Sequence, residues 1–371
     1  MEFKLNTKPL KDALDLTVVN INISKFFEKS TVIELSVEGN KLRLNTQATS
    51  LLSEAYINGY CDEQGTASAI VDNTLFKNLI STLESNEVSL EFTDNALVVK
   101  SGKSKFNVPL LFISEDDALS LDRPQAVTEQ LQYFGELDTD AWKLIRDNQL
   151  YALSISQIYK VYTRVWMGKE QGTITGDPTM SFFTYNSNNP LNSTCMLSST
   201  VVNLLSSLEN GSKIYKIDED NYSVFMDVDS FTFNTQFTVE HEGQDDIGDY
   251  NSEVVLSKVL DDSVTKVPVS KSKIYKYAKQ ASLFKSDAVI YIRSNGNEVR
   301  LVNDDVDCVL STETTGMEYN IGFVVSDLAV VVSHMVSEDL SMNPLVDPES
   351  QEVYGVRFTG DELYTILGGV E

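Results

Sequence analysis

Cysteine is nearly missing from this chain. Cys61, Cys195 and Cys308 are an odd number at wide spacing with no CxxC pair, which argues against a disulfide framework and a structural zinc site. A reducing cytosol fits that usage best. Histidine is scarcer still: with only His241 and His334, and no G-x-S-x-G, histidine-assisted nucleophilic catalysis has little support. Positive charge is also short, at 29 Lys+Arg against 55 Asp+Glu, a formal net charge of −26. Such a surface repels nucleic acid from every face carrying the average charge, so a nucleic-acid role requires a sharply localised basic patch. Long apolar runs are missing too. "IGFVVSDLAVVVSHMV" is broken by Ser326 and Asp327, and "MEFKLNTKPL" has no basic leader before an apolar stretch, so no membrane association is expected.

What is present is repetition. The chain has 371 residues, 42% hydrophobic, enough for two or three ordinary cores. An apolar i, i+3, i+4, i+7 pattern occurs as Phe76, Leu79, Ile80, Leu83, again as Val201, Leu204, Leu205, Leu208, and again as Leu328, Val331, Val332, Met335, at offsets of 125 and 127 residues. Earlier in each copy a short strand leads through a capping residue into another helix. Asn6, Asp138 and Ser270 are the expected N-caps, spaced 132 and 132. Alternating apolar runs with turn signals lie between and after the helices, as in "VIELSVEGNKLRLN" and "AVIYIRSNGNEVRLVN". Polar, acidic stretches at 114–130 and 240–253 read as linkers. The expectation is an α+β chain of three tandem two-helix, antiparallel-sheet modules: 1–122, 123–250 and 251–371.

Charge is not spread evenly over these modules. "KSKIYKYAKQASLFK" (271–285) holds five lysines and no carboxylate. At about 100° per residue, Lys273, Lys276 and Lys279 span an arc of roughly 120°, opposite Ile274, Tyr277, Ala278 and Ala281; Lys271 and Lys285 are expected to flank the helix. The corresponding helices carry Lys8 with Lys11 and Lys143 with Arg146, each pair at i, i+3. Basic residues recurring on the first helix of all three modules point to one shared surface that meets a polyanion, binding phosphates without reading bases.

The threefold module, together with "KSGKSKFNV", "EYNIGFVVSDLAVVV" and the "TGDPT" loop, resembles the bacterial-type DNA polymerase sliding clamp, the beta processivity subunit, in a form that could be phage-encoded. The resemblance covers the whole chain. It implies a non-enzymatic homodimeric ring of six domains in the cytoplasm (the host's, for a phage protein). The ring encircles duplex DNA and tethers a DNA polymerase after a clamp loader places it. It implies Lys8, Lys11, Lys77, Lys143, Arg146, Lys273, Lys276 and Lys279 on the inner wall, with Lys25 and Lys29 near the DNA entrance. The second helices of the later modules depart from the family, offering Asn203, Ser207, Ser333 and His334 in place of basic residues. For ring closure it implies Phe106 and Val108 on an edge strand facing Leu283 and Phe284 of the partner. For client peptides it implies a pocket of Thr175, Gly176, Asp177, Pro178, Ile366, Leu367 and Val370. The Asp177-Pro178 pair replaces the family's usual basic side chains, and the tail ends Gly368-Gly369-Val370-Glu371 without Met or Pro.

Other chemistry has weaker support. "SGKSK" (101–105) has Leu97 where a phosphate loop needs glycine, and reads as a strand turn. Asp305 and Asp307 share one side of a strand and could face Mg²⁺, but a solvated acidic edge suits so acidic a chain better. No cofactor or metal is expected. The competing functions are a clamp-like ring serving phage transcription or repair, a β-rich phage structural protein, and an acidic hydrolase.

Overall fold

The periodic segments fold as helices whose buried stripes are the residues that define the pattern. In the computed structural model, α1 (Thr7–Thr17) buries Leu10, Ala13 and Leu14, and α2 (Asn73–Ser81) buries Phe76 and Ile80. α3 (Ser199–Leu205) buries Val201, Leu204 and Leu205. α4 (Lys271–Ser282) buries Ile274, Ala278 and Ala281, and α5 (Val325–His334) buries Leu328, Val331 and Val332. Helical residues 139–143 and 145–147 contribute Trp142 and Ile145, both buried. The structure describes residues 1–18, 31–48, 50–61, 65–111, 121–128, 131–143, 145–147, 164–168, 172–176, 180–184, 191, 193–241, 266–283, 285, 287–335, 337–347, 349–360 and 363–369.

Helix ends repeat as faithfully as helix faces. Asp138 Oδ1 accepts from the amides of Asp140 (3.1 Å) and Ala141 (3.2 Å), and Ser270 Oγ accepts from the Lys273 amide (3.2 Å). Asn6 takes the same extended backbone before α1 but makes no side-chain cap bond. The end of each second helix leaves a carbonyl that needs a donor. Lys11 Nζ reaches Leu83 O (2.7 Å), Thr139 Oγ1 reaches Leu208 O (3.1 Å), and Lys271 Nζ reaches Met335 O. Lys271, expected to flank its helix, is the first residue of α4 and is turned to this capping task.

Strands supply the rest. The first part of the chain has β1 (Glu2–Asn6), β2 (Val32–Glu38), β3 (Lys41–Ala48), β4 (Leu51–Asn58), β5 (Tyr60–Cys61), β6 (Thr66–Asp72), β7 (Glu87–Phe92), β8 (Ala96–Ser101) and β9 (Ser104–Pro109). The middle has β10 (Gln132–Glu136), β11 (Arg164–Gly168), β12 (Gly172–Gly176), β13 (Met180–Thr184), β14 (Cys195–Ser198), β15 (Lys213–Lys216), β16 (Asn221–Val228) and β17 (Phe231–Thr238). The last has β18 (Val267–Ser270), β19 (Val289–Asn295), β20 (Val299–Val302), β21 (Asp307–Ser311), β22 (Glu318–Val324), β23 (Asp339–Val346), β24 (Val353–Gly360) and β25 (Leu363–Gly368). Gly39-Asn40 makes the two-residue turn between β2 and β3, with Gly39 at φ 61°, where a side chain would be strained.

Contacts gather the chain into two compact units, Met1–Lys143 with Thr200–Val239, and Leu144–Ser199 with Glu240–Glu371. The first contains a five-stranded sheet, β5-β1-β7-β8-β9, and an eight-stranded sheet, β10-β15-β16-β17-β4-β3-β2-β6. The second contains an eight-stranded sheet, β14-β11-β12-β13-β25-β24-β23-β18, and a four-stranded sheet, β21-β20-β19-β22. One pairing rule builds both large sheets. The third strand after a second helix pairs antiparallel with the third strand after the preceding module's first helix: β17 with β4, and β25 with β13. The remaining strands in those two positions, β9 and β21, each end their own sheet among the described residues.

Part of the expected linker is strapped down. Asn45 Nδ2 donates to Asp122 O (3.4 Å), Gln47 Nε2 to Asp122 Oδ2 (2.8 Å), and Asn234 Nδ2 to Gln125 O (3.0 Å), fixing residues 121–128 across β3 and β17. Two cap substitutions separate position from bonding. Asp138→Ala is expected to cost about 1 kcal/mol, and Asn6→Ala, which removes no cap bond, well under half of that. Urea unfolding of the full chain checks this, and equal losses would contradict it.

Candidate functional site

The strongest concentration of one charge sign lies on α4. Lys273 is half-buried, Lys276 and Lys279 are exposed, and the helix carries no Asp or Glu. The lysine heads rest on aromatic faces, Lys276 Nζ 5.6 Å from the Tyr277 ring centroid and Lys279 Nζ 5.7 Å from that of Tyr275. Such contacts orient an ammonium without neutralising it. At the start of the helix Glu338 accepts from Ser272 Oγ, from Ser270 Oγ (2.7 Å) and from the Ser272 amide (3.1 Å). Those bonds, the Ser272 hydroxyl foremost, hold its carboxyl below the ordinary value of 4.5. The helix N-terminus therefore already has its anion, and the open charge is the lysine face.

Beside that face runs a groove of about 240 Å³ between α4 and α5, lined by Tyr275, Lys279, Ser282, Ser326, Val330 and Ser333, with Ala329 in its floor. No carboxylate lines it. Tyr277, expected on the side opposite the lysines, packs against the core and also lies under the Lys276 head, whereas Tyr275 has no place in the sequence reading. The i, i+4 spacing of Tyr275 and Lys279 was the available signal.

The basic residues of the first two modules are engaged differently. Lys8 is exposed, but Lys11 caps the end of α2. Lys77 makes the reciprocal contact, donating to Val18 O at the end of α1 (3.0 Å) and pairing with Asp15 (3.1 Å). Together these lysines clasp α1 and α2, each placing its cation at the negative end of the other helix. Lys143 pairs with Asp140 (3.2 Å), and Arg146 binds Asp147 Oδ1 through Nε (3.0 Å) and Nη2 (2.8 Å). Lys25 and Lys29 lie outside the described residues.

Of the expected closure residues, Phe106 on β9 is 37% exposed and Leu283, the C-cap of α4, is 83% exposed. Val108, two residues along β9 and so on the same strand face as Phe106, is 2% exposed and packs into its own module; of the two expected closure residues on this strand, Phe106 is the one with its side chain open to a partner. Phe284 lies outside the described residues. For the peptide pocket, Thr175 and Gly176 end β12, and β13 pairs with β25 so that Ser181 faces Ile366 and Met180 faces Leu367. One sheet thus carries the strands that bracket both expected pocket stretches. Leu367, expected on a pocket wall, is 1% exposed and belongs to the hydrophobic core. Asp177, Pro178 and Val370 lie outside the described residues.

Arg300 holds Asp307 at 2.8 Å, which commits one of the two candidate Mg²⁺ carboxylates to an ion pair. Among the described residues no three His, Cys, Asp or Glu side chains gather as a metal site. Gly102 (φ 57°) sits in the tight turn joining β8 and β9, as read for "SGKSK". Burial pushes the Cys195 thiol up to about 11.

Two expectations follow from these contacts. Lys11→Met should cost about 1 kcal/mol by leaving the Leu83 carbonyl without its donor, while Lys8→Met stays within about 0.5 kcal/mol, read by urea unfolding. Glu338, whose folded value is depressed, contributes stability that is complete above its ordinary 4.5 and fades as pH falls through the lowered value. Glu338→Gln should therefore flatten the decline of unfolding midpoint below about pH 4.5, and an unchanged slope would refute the assignment.

No protein-family model and no curated protein matches this sequence. Solved structures do match along their full lengths. The DNA polymerase III beta subunit of Thermotoga maritima aligns with a TM-score of 0.76 at 15% identity, covering 100% of this chain and 99% of that one. The DNA polymerase sliding clamp of Caulobacter crescentus gives 0.72 at 14%, covering 100% of both chains. The Helicobacter pylori beta clamp bound to a DNA ligase peptide gives 0.66 at 16%, again covering 100% of both. From end to end, this chain has the fold of the DNA polymerase sliding clamps.

Proposed function

We propose that this protein is a non-enzymatic DNA polymerase processivity factor. Two copies, each of three modules (1–122, 123–250 and 251–371), close head to tail around duplex DNA in the cytoplasm. The observation that carries the reading is the pairing rule of the sheets. It is satisfied twice within the chain, and its third instance would join β9 to β21. The unpaired halves have the matching order, β1-β7-β8-β9 and β21-β20-β19-β22, so one more antiparallel contact would repeat the eight-strand order of the two large sheets, with the short β5 added beyond β1. Exposed edges invite pairing, and a head-to-tail contact that closes gives a ring.

Residue positions agree with this. Counting from their two-residue turns, Phe106 on β9 corresponds to Phe233 on β17, which faces Ala55 across the completed joint and is fully buried. Phe106 is the side chain that a joint at β9 would cover. Leu283 is the exposed apolar group on the other proposed side, and burying either fully is worth about 1.5–3 kcal/mol. A polymerase and a clamp loader are the proposed clients. The strands bracketing Thr175–Pro178 and Ile366–Val370 share a sheet, and the Helicobacter pylori relative holds a ligase peptide.

The wild-type chain is expected at twice 41.4 kDa in solution, to persist on circular DNA once loaded, and to leave linear DNA from its ends. Phe106→Asp and Leu283→Asp should each shift the mass toward the single chain. Full-size oligomers from both variants, or a wild-type chain released equally from circular and linear DNA, would overturn the reading.

A further inference from the structure

The three first helices carry two, two and four basic residues, and these differ in electrostatic state as well as in number. On α1, Lys8 and Lys11 are accompanied by Asp12 and Asp15, Lys11 is spent on a helix-end carbonyl, and Lys77 opposite is paired with Asp15. In the middle module Lys143 and Arg146 are paired with Asp140 and Asp147. On α4 the acid in hydrogen-bond contact among the described residues is Glu338, and its three bonds come from Ser270 and Ser272 rather than from the lysine face. The tyrosines hold Lys276 and Lys279 in place, and the adjoining groove brings serine hydroxyls and no carboxylate.

Lys8 apart, a phosphate approaching these basic residues of the first two modules must displace a carboxylate already in contact or pull a lysine from its helix cap. One approaching α4 displaces only water and small cations, and that counterion release is what drives non-specific binding. We infer that duplex DNA is gripped chiefly by the α4 face of the last module, through Lys273, Lys276 and Lys279, and that Lys11, Lys77, Lys143 and Arg146 of the first two modules are committed to contacts within the chain, leaving Lys8 as their single open cation among these residues. This inference rests on the clamp reading and refines it. A two-chain ring would carry two cationic sectors in its lining rather than six equivalent ones.

Two triple variants that remove the same charge separate the alternatives: Lys273→Gln/Lys276→Gln/Lys279→Gln, and Lys8→Gln/Lys143→Gln/Arg146→Gln. Binding of each to a short duplex would be followed by fluorescence anisotropy over a range of salt, with circular dichroism confirming the fold. Each phosphate contact contributes about 0.9 to the slope of log affinity against log salt. The α4 triple is expected to flatten that slope by about 3 per bound subunit and to weaken binding at least tenfold at low salt, while the second triple changes the slope by less than 1. Equal losses, or a larger loss in the second triple, would overturn this inference and leave the clamp reading standing. A wild-type chain with no salt-sensitive duplex affinity and no retention on circular DNA would overturn both.

Discussion

Strand-to-strand backbone pairing at the module joints is the interaction on which this architecture depends. β17 meets β4 through the register Phe231↔Ile57 to Phe237↔Leu51, and β13 meets β25 through Met180↔Leu367 to Thr184↔Leu363. Each joint turns two half-sheets into one within its own compact unit. The first joint also carries a polar row, Glu34, Asn45, Glu54 and Asn234, on neighbouring strands of one face. Arg43 and Asn45 donate to Glu34, Tyr56 donates to Glu54, and burial raises the Glu54 carboxyl above its ordinary value. Buried groups of this kind are costly unless satisfied in one geometry, so they specify the register as much as they stabilise it.

Electrostatics follows from the same economy of surface. With a net charge of −26, most faces of the chain repel DNA, and long-range repulsion keeps non-cognate contacts weak. The helix that departs from this background does so completely, with lysines and no acids. Where acids accompany the basic residues, they are close enough to pair: Asp140 with Lys143, Asp147 with Arg146, Asp15 with Lys77.

The helical half of the fold was readable from the sequence because its signals are local. The i, i+3, i+4, i+7 stripes, the Asp138 and Ser270 caps and the Gly39-Asn40 turn each lie within a few residues of chain, and all appear in the structure. What could not be read depends on contacts far apart in sequence. Nothing near Lys11 indicates that its ammonium will reach a carbonyl 72 residues away, and Val108 shares a strand face with Phe106, so the difference in their burial comes from what packs over each and not from the strand pattern. The burial of Leu367 is equally hidden from the sequence, where an apolar residue at the end of a strand reads as pocket wall or as core.

The three ways of capping a second helix illustrate how this fold drifts. The target in each case is a main-chain oxygen, at Leu83, Leu208 or Met335, and the donor is a lysine, a threonine or another lysine from a different position on the neighbouring helix. A requirement addressed to the backbone can be met by any donor of suitable reach, so it constrains geometry tightly and residue identity loosely. Modules governed by such requirements can lose nearly all sequence likeness to one another and still superimpose. The full-length match to solved clamps at 14–16% identity is the same tolerance seen between proteins instead of within one.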